Sequence, residues 1–121
     1  MSIAAWIGVA ALGGAGALLR FLLDGAVSAR AASDLPFGTL AVNIAGALVL
    51  GFLAGVSLTG DALVLAGTAT VGSFTTFSTW MFETQRLVED GEPRGALANV
   101  LVSLAAGLGA VALGRLAGGQ L

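Results

Sequence analysis

The chain has no cysteine and no histidine, and charged residues make up only 10% of its 121 positions. Without cysteine there are no disulfides and no thiolate metal sites; without histidine there are no imidazole ligands and no histidine-based acid–base catalysis. A soluble domain carries roughly 25% charged residues, whereas 57% of this chain is hydrophobic. So few charges do not cover a water-exposed surface, which points to the bilayer as solvent. The formal net charge of −2 supplies no basic patch, so nucleic acid is not an expected partner. No nucleophile–base pair or metal-ligand cluster stands out, and the chain does not read as an enzyme.

Acid is also missing where a cation carrier needs it. Asp24, Asp34, Asp61, Glu83, Glu89, Asp90 and Glu92 all lie at or beyond the ends of the apolar runs. A cation- or proton-coupled exporter places a carboxylate within the membrane, which weighs against a small four-helix multidrug or cation exporter, the main rival reading. A route built from hydroxyls, amides, ring edges and arginine favours a small anion.

What is present is apolar sequence cut into four pieces. Uncharged runs cover Ile3–Leu19 (continuing past Arg20 to Leu23), Leu35–Gly60, Ala62–Phe82 and Gly95–Gly114. Each approaches the ~20 residues that cross a ~30 Å hydrocarbon layer as helix. The expectation is one all-α membrane domain over 1–121, with four transmembrane helices near 3–23, 37–57, 62–86 and 95–117. The links between them would be "DGAVSARAASDLP", "TGD" and "EDGEPR". Arg20 is the first basic side chain, so the opening run lacks a signal peptide's basic start and is expected to be a retained span. Arg30, Arg86 and Arg94 fall opposite the termini and Arg115 beside them, a bias that would make those two links cytoplasmic. Small residues recur along the spans, among them Gly13, Gly14, Gly16, Gly46, Gly107, Gly109 and Gly114; Gly51 and Gly55 form a GxxxG. They argue for close helix packing and not for a chemistry.

The third run differs from the rest. "VGSFTTFSTW", Val71–Trp80, crowds Ser73, Thr75, Thr76, Ser78 and Thr79 among Phe74, Phe77 and Trp80, with Thr68, Thr70, Gly67 and Gly72 just before. Hydroxyls in a membrane helix usually bond back to a carbonyl three or four residues earlier. A helix bearing this many shows them around much of its circumference. The pattern predicts an interrupted helix whose freed backbone groups meet an ion or a wet cavity. Gly67 and Gly72 mimic phosphate-loop spacing, but Ser73 and Phe74 stand where Lys and Ser/Thr belong, so that motif fails. Two roles are open to Asn43 in the second run: a hydrogen bond to another helix, or donation to a permeant anion. Arg20 either snorkels to the interface or faces the interior and attracts anions. Asn99 and Ser103 share a face of the last run and pose the same choice as Asn43. Phe77 and Trp80, three apart, would offer positive ring edges on one side of a helix.

The blocks "GGAGALLRF", "PFGTLAVNIAGALVLGFL" and "VGSFTTFSTWMFE" resemble, in order and spacing, the signature blocks of the CrcB/Fluc fluoride channels. The resemblance implies a four-helix subunit, its third helix broken near the middle, that pairs antiparallel (dual topology) into a dimer with two pores. It implies passive export of fluoride across the plasma membrane, which lowers the cytoplasmic concentration. Residue by residue, it puts Phe77 and Trp80 in the stacked pore aromatics and Ser78, Thr79 and Ser103 in the polar track. Asn43 becomes the pore asparagine, Arg20 the vestibule arginine, and Glu83 an acid at the pore mouth. The backbone carbonyls of Gly72 and Thr75 would hold a structural Na⁺ at the dimer interface, the one cofactor implied. The partner is a second copy or a homologous subunit; a non-conducting half of a heterodimer is a further alternative. Three positions depart from the pattern: Trp80 stands where Phe is usual, Asn99 where Tyr is common, and Phe21 where Tyr follows the arginine. The indole adds bulk and an N–H donor, which would either narrow the route or bind the anion differently.

Overall fold

The first helix, α1, runs Ile3–Arg30, started by Ser2, whose hydroxyl accepts the Ala5 N–H at 3.1 Å. It continues through Asp24–Arg30, a stretch expected to be a polar link. The Ser28 hydroxyl donates to the Asp24 carboxylate one turn back at 3.2 Å, and Arg30 closes the last turn by donating to the Ala26 carbonyl at 3.4 Å. Those local bonds let the polar residues continue the helix, leaving only Ala31–Pro36 as connection. Helix α2 spans Phe37–Gly55 after Pro36, and the chain then turns at Ser57, which adopts a left-handed φ of 58°. Helix α6 spans Pro93–Gly119, with proline in its first turn where no N–H partner is needed. The structure, a computed structural model, describes Met1–Leu121, and all its regular elements are helices. Helices α1, α2 and α6 are each long and apolar enough to cross a membrane.

The remaining apolar run is not one helix. A short α3 (Gly60–Leu63) leads into a π-helical stretch, Val64–Val71, and a last α-turn, α4 (Gly72–Phe74). Thr75 is extended, Thr76 and Phe77 are not helical, and α5 begins at Ser78 and ends at Glu89. The wider π coil is stitched by the Thr70 hydroxyl, which donates to the Leu65 carbonyl five residues back at 2.7 Å.

Packing follows the glycines. The broadest contact is α2 against α6. A methyl on Gly51 or Gly55 would strike the Val111 or Arg115 carbonyl of α6, and one on Gly114 or Gly118 the Leu48 or Phe52 carbonyl of α2. Two GxxxG pairs thus face each other, backbone against backbone. Gly118 belongs to this set although only Gly114 stood out in the sequence. Helix α1 approaches the π stretch through buried Gly16, whose added methyl would meet the Ser73 hydroxyl and Thr70 carbonyl. By contrast Gly14, Gly107 and Gly109 face open space. Only 15 residues are buried, and large apolar side chains such as Ile3, Phe21, Leu108 and Leu113 lie on the outside. A water-soluble fold does not survive with that surface; lipid accommodates it.

Candidate functional site

The site forms where the helix stops. A break leaves carbonyls without N–H partners before it and N–H groups without acceptors after it. Hydrocarbon supplies no replacement, so side chains or a permeating species must. Asn43 on α2 supplies most of it. Its amide N–H donates to the Thr76 carbonyl at 2.8 Å, and its amide oxygen accepts the Thr76 N–H, also at 2.8 Å. The side chain thereby stands in for a peptide unit, which is the interhelical role foreseen as one of two. Its neighbours on the same face of α2 serve the same end. Gly46, three residues on, lets Thr75 come so close that a methyl there would clash with its side chain. Thr39, one turn earlier and buried, donates its hydroxyl to the Glu83 carboxylate on α5. Thr39 was missed in the sequence; its place four residues before Asn43 was the available signal.

The hydroxyls divide into two sets. Ser73 and Thr75 bond back to the Ala69 and Val71 carbonyls at 2.7 and 3.0 Å and do no more than support the helix before the break. Thr76 starts the helix after it. Its side-chain oxygen accepts the Thr79 N–H at 3.2 Å, which satisfies one of the open donors of the first turn, and its hydroxyl donates to that of Thr79 at 3.1 Å. The Phe77 and Ser78 N–H groups find no backbone acceptor. They sit at the positive end of the α5 dipole, donors arranged for an anion.

On the other side of the break, the Thr76 N–H is held by Asn43, so the Gly72 carbonyl has no partner one turn ahead. The extended Thr75 turns its carbonyl out of the helix, where the Arg20 guanidinium donates to it at 3.4 Å. Arg20 therefore faces the interior of the bundle. It lines a cavity of about 180 Å³ together with Asp24, Thr39, Thr76 and Thr79. A second, more open hollow of about 310 Å³ lies across the break, lined by Asn43, Thr75, Phe77 and Trp80.

Phe77 and Trp80 meet edge to face, centroids 5.6 Å apart and planes at 84°. Phe77 is 70% exposed and Ser78 lies on the same open side. The Trp80 indole N–H donates to the Asn99 carbonyl of α6 at 3.2 Å. That donor is turned to a neighbouring helix. Ser103 lies elsewhere in the single chain, lining an apolar cavity of about 110 Å³ with Phe37, Leu40, Asn99 and Val102. Arg20, Asn43, Thr75, Phe77, Thr79, Trp80 and Glu83 are thus gathered around α5, Ser78 and Gly72 look outward, and Ser103 stands apart.

Residues 7–115 match the family model described as CrcB-like protein, Camphor Resistance (CrcB). The chain is 54% identical over 114 residues to fluoride-specific ion channel FluC 2 of Mycolicibacterium paratuberculosis, covering 94% of this chain and 93% of that one. It is 56% identical over 115 residues to fluoride-specific ion channel FluC 2 of Mycobacterium tuberculosis, covering 95% and 91%. Fluoride-specific ion channel FluC 1 of Rubrobacter xylanophilus is 46% identical over 109 residues, covering 89% and 88%. With the interrupted helix and its donors in place, these similarities identify the chain as a member of the CrcB-like family.

Proposed function

We propose that the chain is a subunit of a fluoride-selective channel of the plasma membrane, releasing fluoride passively and so lowering its cytoplasmic concentration. The observation that carries this is the break between Phe74 and Ser78, which holds unpaired backbone donors and ring edges beside the Arg20 guanidinium, with Asp24 and Glu83 at its margin and no carboxylate within the break itself. Fluoride is small and tightly hydrated, so a pore must replace its water with close donors that still let it leave. In this reading the Phe77 and Ser78 N–H groups, the Thr79 and Ser78 hydroxyls and the Phe77–Trp80 edges take that part. Arg20 raises the local anion concentration. Asn43 holds the donors in place, and Glu83, tied to Thr39, closes the route at one end.

The segments α3–α5 then act as one interrupted crossing, giving four transmembrane passes. Phe77, Ser78 and Gly72 face outward, so one chain supplies only part of a route. A second copy, or a homologous subunit, antiparallel to the first, completes it, and the partner brings its own Ser103 and aromatics to the shared path. The same exposure suits the implied Na⁺. The Gly72 carbonyl lacks an internal partner and the Thr75 carbonyl points out of its helix, both neutral hard oxygens of the kind an alkali ion takes. Gly72 and Thr75 would hold the ion, which supplies positive charge and joins the two subunits. Arg20 competes for the Thr75 oxygen at 3.4 Å.

Proteoliposomes containing this chain alone, loaded with potassium fluoride or potassium chloride, test the proposal. Fluoride efflux far faster than chloride efflux is expected; equal leakage of both overturns it, as does leakage of neither when a homologous subunit is reconstituted alongside.

A further inference from the structure

Trp80 and Asn99, two of the positions singled out in the sequence, touch each other. The Trp80 indole N–H donates to the backbone carbonyl of Asn99 at 3.2 Å, and the Asn99 side-chain amide donates to the Thr84 hydroxyl at 2.8 Å. That hydroxyl donates in turn to the Trp80 carbonyl at 2.8 Å. Three bonds close a ring through two helices. Asn99 is buried on α6, and Thr84 sits one turn beyond Trp80 on α5. The indole is held directly by the α6 backbone, and the other two bonds tie α5 to α6 at the spacing that bond needs; the indole meets Phe77 edge to face. Phe77 is otherwise largely exposed, so its orientation depends on where Trp80 stands.

We propose that Asn99 and Thr84 are positioning residues that set the angle of the Trp80–Phe77 pair, and with it the width and anion preference of the route. The proposal rests on the fluoride-channel reading for its consequence and on the hydrogen-bond ring for its geometry. The ring anchors an aromatic that is too large to be left free beside a narrow path. It also directs the one strong donor of that side chain into α6, so that Trp80 contributes shape and a weakly positive edge.

The test uses full-length protein in a Trp6→Phe background, which leaves Trp80 as the single fluorophore of two. Thr84→Val keeps the shape and removes the hydroxyl; Asn99→Leu removes the amide; Thr84→Ser restores the hydroxyl. Thr84→Val and Asn99→Leu are expected to lower Trp80 anisotropy and cut the fluoride-to-chloride efflux ratio about three- to tenfold, the range one hydrogen bond supports. Thr84→Ser is expected to keep both at the parental values. If either altered protein is monodisperse and shows unchanged anisotropy and an unchanged ratio, the proposal is overturned, even where its melting temperature falls. If the parent protein passes no fluoride, alone or with a homologous subunit, the channel reading fails while the anisotropy still decides whether the ring holds Trp80.

Discussion

The contact between α2 and α6 and the interruption between α4 and α5 solve one problem in opposite ways. Along α2 and α6 the helices run uninterrupted, so backbone groups between their ends pair within the helix, and Gly51, Gly55, Gly114 and Gly118 let the two rods touch. At the interruption the helix gives up its own bonds, and Asn43, Thr76 and Arg20 replace some of them from the side. The first region keeps its backbone bonds between the helix ends. The second leaves backbone groups open. The difference shows how a chain this short keeps a reactive seam in the membrane: one helix pair supplies stability, and its α2 face, through Thr39, Asn43 and Gly46, holds the seam.

The largest effect is expected from breaking the rigid side. Gly114→Leu forces a side chain into the Leu48 carbonyl of α2, and no flexible neighbour gives way. Overpacking of this kind costs about 3 kcal/mol or more, and the protein should fail to elute as a folded species in size-exclusion chromatography. Next comes the seam. Asn43→Leu leaves the Thr76 N–H and carbonyl without partners, a loss of about 2–6 kcal/mol for two buried groups. Its melting temperature in detergent should drop sharply and its fluoride efflux should disappear. Survival of both would mean that Asn43 is a bystander. Arg20→Gln ranks third. It removes a long bond and a positive charge, so fluoride uptake should slow severalfold at low ionic strength and by less at high salt. Smallest is Gly107→Ala, on a face with open space around it. It should leave the fold of the single chain intact and shift its stability by no more than about 1 kcal/mol, in the favourable direction helix propensity predicts. A strong loss of dimer in that variant, seen by cross-linking, would mark the α6 face as a subunit contact.

Much of this was legible in the residues. The four apolar runs, the sparse charge and the crowding of hydroxyls around Phe77 announced a membrane bundle with an interrupted third segment, and the break falls inside "FTTFS". The ends of the helices were less legible. Asp24–Arg30 looked like a link because it carries charge, yet bonds such as Ser28 to Asp24 are invisible to a hydropathy count. Partners across helices were hidden too. Asn43 stood out as a polar residue in an apolar run, but nothing in a one-dimensional string says that it pairs with Thr76, thirty-three residues away. Thr39 and Thr84 passed as ordinary hydroxyls, and only the approach of α2 and α6 to α5 gives them their roles. Gly118 escaped notice for the same reason: its use depends on what faces it.

The central claim, that fluoride passes where Asn43 pins the broken helix, is tested most directly by titrating isotope-labelled protein with fluoride and with chloride while following backbone amide resonances. The account predicts that the Phe77 and Ser78 amides shift with fluoride and stay still with chloride. Unmoved Phe77 and Ser78 amides in a sample that conducts fluoride would contradict it.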